Sequence, residues 1–264
     1  MSITFFKTRP NLNLGSSLGA CNSIAKGMIG CWLFNEGVAT TGYNLCLPAD
    51  KTALTSVSRV TYQYGKVLSY GGSGYTKVAP LATRFWQAQP ISVRVIANVT
   101  SFNAGGWDPF IAYINVNSYY GWGLYVWNSG VARYIQFTLW TSAGGTVASV
   151  SGRTPLVGTW YDIIATDDGT TLSMWVNGVL DNTAASGSAQ WTATMYCYTG
   201  CDRPDHAAPL NYLTGYLAHA AVWNRCLRGS EVRMLYTNPY CFLYSGSPWV
   251  NWGKNLSSQV VVSV

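Results

Sequence analysis

Between Gly158 and Asp181 the chain reads GTWYDIIATDDGTTLSMWVNGVLD, and this alternation of short apolar runs with turn-forming residues constrains the fold more than any other feature. WYDIIAT and TLSMWV are too short for independent helices and rich in β-branched and aromatic residues. Asp167-Asp168-Gly169 between them offers the side-chain hydrogen bonds and positive φ of a hairpin turn, and Asn177-Gly178 supplies a second turn before Val179. Three successive antiparallel strands are predicted. GLYVW and RYIQFTLW, on either side of Asn128-Ser129-Gly130, predict a further hairpin. In ISVRVIANV, Ile91, Val93, Val95 and Ala97 alternate with Ser92, Arg94, Ile96 and Asn98, which predicts a half-buried strand. GMIGCWLFNEG is apolar on both faces up to Phe34 and ends at Asn35 to Gly37, which predicts a central strand.

Helix is confined to SEVRMLY, where Ser230 reads as the N-cap, Glu231 suits the first turn and Asn238-Pro239 stops propagation. No solenoid or propeller repeat is present, and the turn spacing predicts an all-β, two-sheet antiparallel jelly-roll sandwich with one short C-terminal helix. At 264 residues the chain fits one such domain. Its charged fraction of 10% lies well below the roughly 25% of average domains, so material for a core is ample. Residues 1–26 read as an extended arm, 27–244 as the domain, and 245–264 as a tail. The tail's SSQVVVSV either completes its own sheet or adds to a neighbour's edge.

The net charge of +6 is unevenly placed, with Lys51, Arg59, Lys66, Lys77, Arg84 and Arg94 in an acid-free stretch between Asp50 and Asp108. They are too dispersed for a nucleic-acid motif, and no basic helix accompanies them, so no nucleic-acid partner is expected. No apolar run is long enough for a spanning helix, so no membrane partner is expected either. The amino terminus lacks the apolar stretch of a secretory signal. Seven cysteines, an odd number, fit folding in a reducing compartment. Cys197, Cys201 and His206 lack the second close pair that a zinc site needs.

Four stretches, read in order, carry a family resemblance: GMIGCWLFNEG, VLSYGGSGYTKVA, GTWYDIIATDDGTTLSMWVNGVLD and GYLAHAAVWNRCLRGSEVRMLYTNPY. Together they resemble the laminin-G-like, concanavalin-A-like lectin and glucanase superfamily, from about Gly27 to Tyr240. The last stretch is the most specific, with Trp223, Asn224, Arg225, Leu227, Glu231, Leu235 and Tyr236 on the pattern and Cys226 where the family has Ala. VLSYGGSGYTKVA is similar to the family's Gly-rich turn leading into the next strand. The resemblance implies a concanavalin-A-like sandwich. It also implies calcium as the one candidate cofactor, with Asp108, Asp167, Asp168, Asp202 and Asp205 as candidate ligands.

The superfamily's glucanases present Glu-x-Asp-x-Glu on one strand. Here neither Glu36 nor Glu231 has an acid two residues away, and His206 and His219 have no motif-placed nucleophile. No catalytic residue is assigned and a non-enzyme is expected. The 12 Trp and 18 Tyr outnumber the 8 Phe. Trp107, Tyr119, Tyr120 and Trp122 are the candidate glycan-stacking rings, although the same rings would suit a subunit interface. Trp249 and Trp252 form a further ring cluster in the tail. The acceptor motifs at Asn98 and Asn255 are expected to be unused.

Standalone domains of this kind resemble those encoded by tailed bacteriophages. The leading expectation is a non-enzymatic virion structural protein, a capsid decoration or fibre component, assembled in the host cytoplasm and displayed on the virion surface. Its partners would be other virion proteins, held through arm and tail, and further copies of itself in a homo-oligomer. The alternative is a carbohydrate-binding adhesion module, a lectin that takes polysaccharide, in an extracellular setting. A glycan hydrolase is the third reading.

Overall fold

A computed structural model of the chain describes residues 23–35, 40–62, 65–78, 90–115, 120–140, 146–188, 195–202 and 211–243. The strands are β1 (Met28–Trp32), β2 (Thr41–Asn44), β3 (Leu47–Tyr62), β4 (Gly65–Val78), β5 (Ile91–Ser101), β6 (Gly106–Asn115) and β7 (Gly121–Asn128). They continue as β8 (Arg133–Trp140), β9 (Thr146–Ser151), β10 (Trp160–Asp167), β11 (Thr171–Val176), β12 (Val179–Ala185), β13 (Met195–Thr199) and β14 (Thr214–Trp223). Helix α1 (Gly229–Thr237) and a single 3-10 turn, Cys241–Leu243, follow.

All pairings are antiparallel and fall into two layers. The first runs β12-β11-β10-β5-β14-β4 and the second β4-β13-β6-β7-β8-β9. Strand β4 belongs to both: Leu68 to Gly71 pair with β14, and Thr76 to Val78 pair with β13. Its ladder with β3 slips between Thr55 and Val57, opposite Gly71 to Gly74. The slip needs the glycine at 74, because a Cβ there would lie 2.3 Å from the Ser56 carbonyl oxygen. The Gly-rich segment expected as a turn between strands is therefore a bulge inside one strand, where it leaves one sheet for the other.

The predicted hairpins form as read. Strands β10 and β11 join through Asp168 to Thr170, and Asn177 (φ 55°) with Gly178 (φ 76°) turns β11 into β12. Asn128 to Ala132 connect β7 and β8. Between the layers lie the alternate residues of each strand, among them Val93, Val95, Ile163, Ala165, Leu124, Val126, Ile135 and Phe137. The far edges approach each other at β9 and β12, where Asn182 donates to the Ser151 carbonyl and Arg153 pairs with Asp181 at 2.7 Å.

Several strand and cap assignments differ from expectation. Strand β5 is buried on both faces from Ile91 to Val99, not half-buried, because α1 and the segments flanking it cover the outer face over Ser92 and Arg94, and the rings of Trp160, Tyr216 and Tyr62 cover it over Ile96. Arg94 is accommodated there by donating to both Asp162 carboxylate oxygens (2.9 and 2.7 Å) and to the Pro239 and Leu235 carbonyls. Strand β1, expected to be central, pairs among the described residues only with the far half of β14, at the sheet margin. It is apolar on both faces because that same covering layer packs on it. Helix α1 starts two residues early, with Arg228 and not Ser230 as its N-cap. The Ser92 hydroxyl accepts from Leu227 N–H and donates to the Arg225 carbonyl, so the strand below sets where the helix begins.

The expected arm is packed at its end: Ile24 is fully buried, and Trp223 Nε1–H donates to its carbonyl at 2.7 Å. The rest of the arm and the whole 245–264 tail, with Trp249, Trp252 and Asn255, lie outside the described residues.

Candidate functional site

The outer face of the second layer is a field of aromatic rings. In the register of β6, β7 and β8, Trp107 lies opposite Trp127 and Trp127 opposite Tyr134, so these side chains share the outward face. Tyr125 lies two residues along on the same face, and its hydroxyl is hydrogen-bonded to Thr138. Gly123 makes room for the Trp140 ring, since a Cβ there would sit 2.6 Å from that indole. Trp140 consequently lies across β7, 6.0 Å from the Tyr125 ring at 9° between planes and 5.6 Å from Trp107. Trp107 also stacks on Tyr125 at 5.1 Å. Tyr125 and Trp140 are buried, whereas Trp107 and Trp127, 6.0 Å apart, are half-buried at the rim end. On β13, Tyr196 continues the field, with Lys77 Nζ 4.2 Å above its ring.

Two amides pin Trp107 at this rim. Asn103 Nδ2 donates to the Trp107 carbonyl at 2.9 Å and to the Tyr212 carbonyl at 3.0 Å. Asn211 Oδ1 accepts from Trp107 N–H and its Nδ2 donates to Asp202 at 3.0 Å. Asp108, the next residue, faces the opposite way, into the mouth of the sandwich. One oxygen accepts from Asn103 N–H at 3.2 Å, and the other is buried with no partner. Burial pushes the Asp108 carboxyl up to about 6, against the opposing pull of Asn103 N–H and the Arg133 charge. The arrangement is a half-exposed indole edge held by the amides of Asn103 and Asn211, which suits a polar ligand with one apolar face.

The residues singled out in the sequence separate. Trp107 and Asp108 stand at this rim, and Asp202 joins them through Asn211. Trp122 does not: it is fully buried on the core side with Leu124 and Val126, so its ring is closed to a ligand. Tyr120 is half-buried and packs against that core. Tyr119 and Asp205, like His206, lie outside the described residues. Asp167 and Asp168 sit at the opposite rim, where Asp167 pairs with Ile91 at the start of β5. There Asp168 accepts from the Thr170 hydroxyl and from Thr170 and Thr171 N–H, and these bonds lower its pKa, so ordinary turn bonding accounts for it.

Calcium takes six to eight oxygens. Among the described residues no three His, Cys, Asp or Glu side chains converge, and the predicted acids are divided between two rims. The described donor set therefore does not fit the ion.

Tyr125, Trp127, Trp140, Asn103 and Asn211 are site residues that sequence reasoning missed. The ring signal was present, since Tyr125 and Trp127 alternate with Leu124 and Val126. His219 is fully buried and stacks on Phe242 at 5.6 Å.

Comparison with known proteins accords with this architecture. A family profile described as Laminin_G_3, concanavalin A-like lectin/glucanases superfamily, matches residues 70–233. Comparison with curated protein sequences gave no match. Domain 4 of an extracellular arabinanase from Geobacillus stearothermophilus, solved with arabinotriose, aligns with TM-score 0.57 and 12% identity over 79% of this chain and 98% of that one. The sialidase of Trypanosoma rangeli, solved with sialic acid, aligns with TM-score 0.58 and 16% identity over 80% of this chain and 32% of that one. The binding domain of botulinum neurotoxin DC, solved with SialylT, gives TM-score 0.61 and 10% identity over 81% of this chain and 52% of that one. The chain thus spans about a third of the sialidase and about half of the toxin domain, and at these identities the likeness is one of fold. With more than half of its length matched by the profile, the chain belongs to the concanavalin A-like lectin/glucanase superfamily.

Proposed function

We propose that the chain is a non-catalytic carbohydrate-binding module whose ligand lies against the rim edge of the aromatic field on the second layer. The observation that carries this reading is the stacked set Trp107, Tyr125 and Trp140, with Trp107 and Trp127 half-buried beside Asn103 and Asn211. Indole faces stack on the C–H face of a pyranose while amides and carboxylates take its hydroxyls. The sugar ligands of the arabinanase domain, the sialidase and the neurotoxin domain support the same direction. Engagement of acids in structural contacts supports the non-catalytic part: Asp162 with Arg94, Asp181 with Arg153, and Glu231 with Arg225. A glycan array run with and without calcium tests the reading. Binding that falls at least tenfold in Trp107→Ala is expected, and no binding to any glycan would sink it.

A second reading, a virion decoration or fibre component, is the setting we propose for such a module, resting on the resemblance and the two terminal segments. Proteomics of purified particles should find the chain there as a stoichiometric component, and sedimentation should find a homo-oligomer. Absence from particles would remove this setting without touching the glycan site.

A further inference from the structure

The outer face of the first layer holds a second aromatic group, remote from the field on the second. Trp160 and Tyr216 are the lateral neighbours of Asn98, one on each side of β5, so the three side chains share a face. Strand spacing roots the two rings roughly 9–10 Å apart. Their centroids nevertheless lie 6.3 Å apart, with 25° between planes, so the rings converge over Asn98. Tyr62 closes a third side, 5.3 Å from Trp160 and 5.7 Å from Tyr216. All three rings are half-buried, so each keeps some surface open to solvent.

Beneath them Asn98 is only 1% exposed. Its Nδ2 donates to the Gly158 carbonyl at 2.8 Å, which fixes the amide's orientation, and Oδ1 is left buried with no hydrogen-bond donor. An acceptor held in this state carries a desolvation cost that a ligand hydroxyl would relieve. The same contacts close Asn98 to glycosylation. In the adjoining row, opposite Ile96, the Asp162 carboxylate is paired with Arg94. The surroundings therefore suit an uncharged ligand that offers one apolar face and one hydroxyl donor.

We infer that Trp160, Tyr216 and Tyr62 form a second ligand platform for a neutral pyranose unit, with Asn98 Oδ1 accepting one sugar hydroxyl when the Tyr216 ring tilts aside. The platform is independent of the rim at Trp107, and a chain bearing both would hold one polysaccharide at two points or two polysaccharides at once.

Isothermal titration of the full chain with gluco-, galacto- and manno-configured neutral oligosaccharides separates the two sites. Two sites per chain are expected. Tyr216→Ala should remove one of them, with at least a tenfold loss of affinity there, Tyr216→Phe should keep both, and Trp107→Ala should leave the platform intact. If Tyr216→Ala does not fold, Tyr62→Ala carries the same expectation. A single site lost in Trp107→Ala and untouched by Tyr216→Ala overturns the platform and leaves the rim reading standing. A single site lost only in Tyr216→Ala upholds the platform, and the glycan array then decides the rim. No binding across the panel overturns the platform.

Discussion

Asp108 is a carboxyl group with one oxygen satisfied by Asn103 and the other sealed from both water and protein. Its pKa of about 6 when folded lies above its ordinary unfolded value, so the folded chain holds the proton more tightly. The sign follows: its contribution to stability is fully present below about pH 4 and is lost as pH rises through about 6. Asp108→Asn should raise the melting temperature above pH 6.5, by the equivalent of about 1–3 kcal/mol. It should also flatten the dependence between pH 4.5 and 7.5, as read by thermal melts across that range. Arg94 and Asp162 pose the opposite case, since both charges are buried and each needs the other. Asp162→Ala should cost about 3–5 kcal/mol in urea unfolding, and replacing both partners by apolar residues should recover most of it. Asp108 was legible in the sequence as an acid beside an indole. Its burial was not, because Asn103 comes back over it only through the fold of the β5–β6 connection. Trp122 misled for a related reason: its neighbours in sequence are aromatic, but strand alternation groups it with Leu124 and Val126.

At the scale of elements, the hairpins were legible and the packing around them was not. Asn177-Gly178 identifies its turn because two adjacent positive φ values are cheap for that pair. The sequence does not show that the Tyr236 ring from α1 presses on this turn, leaving a Cβ at position 178 only 2.8 Å from it. Gly178→Ala should therefore cost more than the backbone term alone, about 2 kcal/mol or above, in chemical denaturation. The helix itself was read correctly from SEVRMLY, and its cap was misplaced because Ser92, distant in sequence, holds Leu227. Glu231 accepts from Arg228 N–H and from both Arg225 Nη groups, while Arg225 also reaches the Ser23 and Lys26 carbonyls. One carboxylate thus joins the helix start to the entry segment. Burial works to raise the pKa of Glu231, but these donors outweigh it and the value is lowered. Its stabilisation is present at neutral pH and lost as pH falls through the folded value. Glu231→Gln should lower stability at pH 7 by about 1 kcal/mol and have less effect in acid, where wild type has already lost the charge.

For the whole molecule, composition and turn spacing were enough to read a two-layer β sandwich, because every hairpin is a local event. Strand order lay beyond that reading. Strand β5 lies between β10 and β14, and β13 between β4 and β6, through partners far apart in the chain. Such pairings follow from which faces match once the layers close. The site shared this fate: Trp107 was named from its own neighbourhood, whereas the rings that complete its field come from three further strands.

The passage of β4 from one layer to the other has a kinetic consequence. Layers joined only by side chains can open separately, each with its own free energy of exposure. Here the same backbone segment supplies hydrogen bonds to β14 in one layer and β13 in the other, so opening either frees part of the other's ladder. Native-state amide exchange should accordingly place Leu68, Tyr198 and Leu217 in one unit with a common dependence on denaturant. Loosening the bend at Gly74 by Gly74→Ala should speed exchange in both layers together.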